Sequence, residues 1–445
     1  MWSLLLSLLL GSALLVLFSW CAVVTLDGDT RFGALGRISL KVAEFPSLIG
    51  EVFEEINSGP DRGLRVPRPK VDLVKFRPVQ MRSDISVQGL MVRADKVALA
   101  RAAGWRLLIG VFAVEGKLQN AILALSPNLE VVRVWVVSKD KTQTTTRSLA
   151  GVIHGFSILK NGSMIFAFQP SGYLQRIDRC GKPVWSTNGE FNHTVSVEDG
   201  EKSLWTLLNT GIDTEVVNVS SETGQVIRRI PIAAIIAANP TIDILEVGKY
   251  DDWNESHPHN SREKWFDDPL HFNDVEPLPA AIATRFPGFK AGDLLLSASS
   301  LNLVFVMDPE TLKVKWWQSG SWRRQYDPDW QPTGEITVLD NNRGRGYSRI
   351  VSINPLSRGM RVLFDGNKND FYTRESGKHQ ITGNGNLLVT SAMQGRAFEV
   401  EPNGNMVFDI LNTKPGSNEF NYYLSEAVWL PLDSFDFSGE ISCAK

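Results

Sequence analysis

The sequence is poor in cysteine and nearly balanced in charge. Only three cysteines occur in 445 residues: Cys21, Cys180 and Cys443. Cys21 sits in an apolar N-terminal stretch. That leaves one intrachain pair, Cys180–Cys443, which either forms a disulfide in an oxidising compartment or is two unrelated thiols. The net charge of −3 and a pI near 6.1 argue against a nucleic-acid partner. Helical periodicity is scarce after residue 60, so most of the chain is not a helix bundle. Residues 1–26 carry no charged side chain. The rival reading is a cleaved signal peptide, but neither a basic leader nor a small-x-small cleavage site is clear in them, and Trp20 before Cys21 spoils a lipoprotein box. About 20 apolar residues span a bilayer. An uncleaved transmembrane anchor is therefore expected at 1–26. No Lys or Arg precedes it, while Arg31, Arg37 and Lys41 follow. A positive-inside count puts the bulk of the chain in the cytoplasm. Large domains translocate regardless of such counts, and an extracytoplasmic (periplasmic) body on a membrane anchor is the expectation.

Residues 41–57 place Val42, Phe45, Ile49, Val52, Phe53 and Ile56 three or four apart, the spacing of an amphipathic helix. Residues 58–70 read as a Pro/Gly/basic linker. The domain plan is an anchor at 1–26, helix and linker at 27–70, the main body at 71–432 and a tail at 433–445.

The body is organised by a repeat seen most clearly in Phe371–Asn412. Here a histidine (His379) precedes a Gly/Asn turn and a short apolar run. Two alternating runs follow, joined by Glu401–Asn405, EPNGN. Proline pre-sets one φ in that turn and Asn-Gly supplies positive φ, which makes it a hairpin. The hairpin recurs six times, at 118–137, 172–187, 213–231, 301–320, 348–366 and 395–412. Units of roughly 40–50 residues with about four strands each are propeller blades. The fold class is all-β, a six-bladed β-propeller. WRLLIGVFAV (105–114) is expected to start the first blade. His154, His193, His271, Tyr326 and His379 stand before or within the first strand of successive blades. Innermost strands line the channel of such a ring, so these five side chains are expected to converge at one mouth. The competing reading is that each merely caps a strand.

Other candidates are fewer. His257 and His259, with Asp251, Asp252 and Glu255 nearby, read as a solvated loop rather than a metal site. No metal or cofactor is expected. WWQSGSWRRQYDPDW (316–330) sets Trp322 and Tyr326 beside Arg323 and Arg324. Aromatics stack on flat ligands and arginine forks onto oxyanions. Tryptophans also wedge blades together.

The stretches SGKHQITGNGNLLVTS…GRAFEVEPNGNMVFDI, HFNDVEPL and QYDPDWQPTGEITVLDNN resemble the arylsulfotransferase family. The resemblance covers most of residues 105–432. It implies a six-bladed, often exported propeller that moves a sulfuryl group between phenols without a nucleotide donor. Channel histidines in that family hold the sulfate, and one becomes transiently sulfated. His271 and Asn273 match the family's His-x-Asn pair, and His193 matches a second binding histidine. The nucleophilic histidine's segment reads Gln325-Tyr326-Asp327 here. The arginine expected just after the next strand is missing from Leu294–Ser300. A phenol of pKa about 10 is a poorer nucleophile and leaving group than neutral imidazole.

Two readings stay open. In the first, Tyr326, His271 and His193 carry out the transfer. Asn273, His154, His379, Arg323, Arg324 and Trp322 bind an aryl sulfate or another aromatic anion. In the second, the propeller is non-catalytic and serves as an anion- or aromatic-binding or docking subunit of a membrane-protein complex. Quinone-cofactor chemistry would want eight blades and a metal–quinone site, and neither is visible.

Overall fold

The computed structural model describes residues 2–26, 64–137, 151–169, 172–251, 263–265, 268–434 and 437, with a few positions between 35 and 42. The chain divides into two compact units, Met1–Gly63 and Leu64–Lys445.

In the first unit, Trp2–Leu26 is a helix. Its described side chains run from residue 11 to residue 24, and Leu14, Leu15 and Val16 are exposed. Among the described residues no helix is long and apolar enough to cross a membrane. The anchor expected at 1–26 thus finds no support. The amphipathic helix expected at 41–57 lies outside the described residues apart from Val42.

The second unit is a propeller of six blades. Blades 2 to 6 follow the chain. Their innermost strands are Val152–Ile158, Phe191–Val197, Phe272–Pro277, Tyr326–Trp330 and Lys378–Ile381. In each, three further strands run outward in sequence order. All six sequence hairpins are outer-strand pairs of the blades. Trp105–Val114 does not start blade 1. The innermost place is taken by Leu424–Leu430, which pairs antiparallel with it from Leu424↔Gly110 to Leu430↔Trp105. Leu90–Ala94 in turn extends blade 6 beyond Met406–Asn412. Arg65–Pro67, inside the segment read as a linker, is a strand on Phe420–Tyr422. The first and last blades are therefore both completed by strands from the far end of the chain.

Period-two alternation explains why the ring must close. Leu107 and Ile109 on one face of their strand pack with Ile153 and Phe166 of blade 2. Leu108 and Phe112 on the other face pack with Leu388 and Phe408 of blade 6. Each strand thus serves two interblade cores. Equivalent clusters join blades 2 and 3, 3 and 4, 4 and 5, and 5 and 6. At about 1.5–3 kcal/mol per buried large side chain, these six seams are the bulk of the hydrophobic stabilisation.

Two segments outside the blades join the cores. Helix Ile232–Ala238 follows the last strand of blade 3 and buries Ile232 and Ile235 between blades 3 and 4. Phe437, in the expected tail, is fully buried edge-on to Trp105 and Trp135, with centroids 5.3 and 5.9 Å away. Cys180 is disulfide-bonded. Cys443, one of the two cysteines considered as a pair, lies outside the described residues, as do His257 and His259.

Candidate functional site

Five of the six innermost strands break register near their first residues. The shifts fall at Ile153/Phe156, Asn192/Val195, Phe272/Asp274, Tyr326/Asp329 and Leu424/Glu426. A bulge re-aims a side chain that regular pleating would send into a seam. His193, His271 and Asp327 have positive φ, at 65°, 45° and 55°. Such geometry costs a non-glycine residue about 1–3 kcal/mol and clusters at functional sites.

The bulges bring His154, His193 and Tyr326 together from blades 2, 3 and 5. His154 Nε2 lies 2.7 Å from the Tyr326 hydroxyl and 2.9 Å from His193 Nδ1. His193 Nδ1 lies 2.5 Å from the same hydroxyl. With both imidazoles neutral, one ring N–H donates to the Tyr326 oxygen and the Tyr326 O–H donates to the other ring. Burial, with Lys378 and His271 nearby, pushes the His154 imidazole down to about 3. Burial and the other histidines hold His193 well below its usual value. Burial also holds the Tyr326 phenol well above its own. All three groups are uncharged at neutral pH.

His271 joins this triangle, its ring centroid 5.2 Å from that of His193. Its Nδ1 is engaged by the Asp268 carboxylate. That hydrogen bond lowers the Asp268 carboxyl, and Arg324 lowers it further. Arg324 Nη1 donates to Ser300 Oγ at 2.8 Å. Ser300 follows strand Leu294–Ala298, where the sequence lacks the expected arginine. The guanidinium reaches that spot from the segment before blade 5 instead.

The remaining candidates go elsewhere. His379 lies outside the triangle, because blade 6 lacks the bulge and pairs regularly from Lys378↔Thr390 to Ile381↔Leu387. Its Nδ1 donates to Asp327 at 2.9 Å and its Nε2 meets Thr337 Oγ1 at 2.8 Å. Asn273 is fully buried and donates to the Gln325 carbonyl at 2.8 Å, so it fixes the approach to Tyr326. Trp322 is buried in the seam of blades 4 and 5. Arg323 is exposed and held by its backbone N–H on Asp340.

Further along these strands lies a cavity of about 500 Å³. Five carboxyl groups line it: Asp274, Glu276, Asp327, Asp329 and Glu426. Lys378 pairs with Asp327 at 2.7 Å and reaches Asp274 at 3.9 Å. Burial pushes Asp327 up, but Lys378 and His379 outweigh it and hold it down to about 2. Burial dominates at Glu426 and raises it to about 8. Asp327, Asp329 and His379 could together hold a metal ion. Existing hydrogen bonds already satisfy both nitrogens of His379. The sequence reading missed Asp268 and this acidic lining. Asp268 stands three residues before His271, and that spacing was the available signal.

Gly155 lets blades 2 and 3 approach closely enough for the histidines to touch. Its φ is 157°, and a Cβ there would meet the Thr194 backbone at 2.9 Å. Gly155→Ala is expected to part His154 from His193 and to lower stability by about 1–3 kcal/mol. Thermal unfolding, with imidazole NMR shifts, checks this; unchanged shifts would sink it.

A family model described as Arylsulfotransferase (ASST) matches residues 155–413. No curated protein matches the chain. Similar solved structures include a protein of unknown function from Bacteroides caccae, at 14% identity and TM-score 0.44, covering 74% of this chain and 99% of that one. TolB from Acinetobacter baumannii is similar at 10% identity and TM-score 0.44, covering 74% and 67%. Neither likeness bears on chemistry.

Proposed function

The chain belongs to the arylsulfotransferase family, and from that premise we propose that it transfers a sulfuryl group from an aryl sulfate to a phenol at the histidine end of its channel. The observation that carries this reading is the convergence of His154, His193, His271 and Tyr326, from four blades, beside Arg324. Neutral imidazoles suit the site, because an uncharged ring offers one N–H donor and one lone-pair acceptor. Arg324 offers the positive charge that a sulfonate needs and that Leu294–Ser300 lacks. Preorganised charge of this kind is worth a few kcal/mol at a transferring group. The disulfide at Cys180 supports an extracytoplasmic location.

One observation favours a binding-only reading. Tyr326, in the segment where the family carries its nucleophile, is 4% exposed and locked between two rings. Assay of the purified chain with 4-nitrophenyl sulfate and phenol separates the two. Turnover is expected, and His193→Ala should reduce it about 100-fold or more. Tyr326→His restores the family's residue and should raise the rate. No turnover with any aryl sulfate donor would leave only an anion- or aromatic-binding propeller.

A further inference from the structure

Tyr326 is poorly placed to be the group that receives sulfate. Its hydroxyl is enclosed by two imidazoles, and burial keeps it protonated. His154 and His193 spend one ring nitrogen each in the same triangle. His271 is different. Its side chain is 35% exposed, and its Nδ1 is occupied by Asp268. Among the described residues no hydrogen bond reaches its Nε2. A carboxylate on Nδ1 fixes the proton there and leaves the Nε2 lone pair available. The ring is held by a positive-φ backbone just before strand Phe272–Pro277. The Asp268 backbone carbonyl is also tied down by Ser300 Oγ at 3.0 Å. Ser300 Oγ in turn accepts from Arg324. The site therefore holds a nucleophile, its orienting carboxylate and a cation on one short network.

Resting on the transfer reading above, we propose that His271 Nε2 is the atom that takes the sulfuryl group, and that Asp268 is its positioning residue. The Nε2 lone pair attacks the sulfur of the aryl sulfate. The S–N bond forms as the S–O bond to the ring breaks, and aryloxide leaves with that pair. The sulfated imidazole keeps its proton on Nδ1, and its positive charge faces Asp268. The acceptor phenol then loses a proton and its oxygen attacks sulfur, while the N–S pair returns to Nε2. The proton lost by the acceptor balances the one the departing aryloxide takes up. The nucleophile in this chain thus stands at the start of blade 4 rather than in the Gln325–Asp327 segment.

The test uses the full chain with 4-nitrophenyl sulfate and no acceptor. The expected result is a burst of 4-nitrophenol equal to the protein present, with a gain of one SO3 group in mass. Peptide mapping should place that group on His271 as an acid-labile N-sulfo adduct. His271→Gln should lose burst and adduct together. Asp268→Asn should lower kcat by at least about 10-fold with KM little changed, and Asp268→Glu should recover part of the loss. A merely structural role for Asp268 would not give that recovery. An acid-stable adduct on Tyr326, an adduct on His154 or His193, or turnover without any adduct would overturn the assignment while leaving transfer intact. No turnover with any donor would instead bring down the transfer reading itself.

Discussion

Arg106→Ala should lower the unfolding free energy by about 3–5 kcal/mol. Arg106 and Glu399 are both fully buried, with Nη2 and Oε2 2.8 Å apart. The pair crosses the seam between blade 1 and blade 6, where the ring closes. Arg106 also donates to the carbonyls of Gly104 and Ala102, at 2.8 and 2.6 Å. Asn386 donates to the other Glu399 oxygen at 2.8 Å. Alanine at 106 leaves a buried carboxylate with one remaining donor and strands two carbonyls. Removing one partner of such a pair costs far more than the pair's net worth. The double variant Arg106→Met with Glu399→Leu should therefore regain most of the loss. Chemical denaturation of the three variants checks this. A single-variant loss below about 1 kcal/mol would show that the seam does not depend on the pair.

Glu426→Gln should make the protein more stable in mild alkali and leave it nearly unchanged in acid. Burial raises the Glu426 carboxyl from its ordinary 4.5 to about 8. Between those values the unfolded chain ionises this group and the folded chain does not. The native protein then loses up to about 1.4 kcal/mol per pH unit as pH rises through that window. Glutamine mimics the protonated carboxyl and removes the loss. His154 works in the opposite direction. Its folded value of about 3 lies below the usual imidazole range, so its contribution is complete above about 6.5 and falls as pH drops from there towards 3. Denaturation midpoints from pH 4 to 9 read both effects. A Glu426→Gln curve parallel to the native one would show that the cavity leaves that carboxyl ionised.

The fold was largely legible because each hairpin announces itself twice, by alternation and by its turn. Blade count and outer strands followed. What stayed hidden was non-local. Nothing in Leu424–Leu430 says that it lies beside Trp105–Val114, because any alternating apolar strand can fill an innermost place. The site was half legible for a related reason. Recurrent histidines at strand starts were visible, but whether they meet depends on a bulge of one or two residues. Blade 6 lacks that bulge, and His379 goes with Asp327 instead. Trp322 fooled composition reasoning because an indole fills a seam as readily as it stacks on a ligand. Asp268 was missed because a carboxylate three residues from a histidine in a turn is ordinary until the backbone folds the two together.

The exchange of strands between the first and last blades has a consequence for the nascent chain. Trp105–Val114 leaves the ribosome long before Leu424–Leu430 exists, so its channel-side edge waits with unpaired amides throughout most of synthesis. The middle blades can assemble as they appear, but the circle cannot shut until translation has almost finished. A chaperone that shields that exposed edge would find its longest window of work on this one strand.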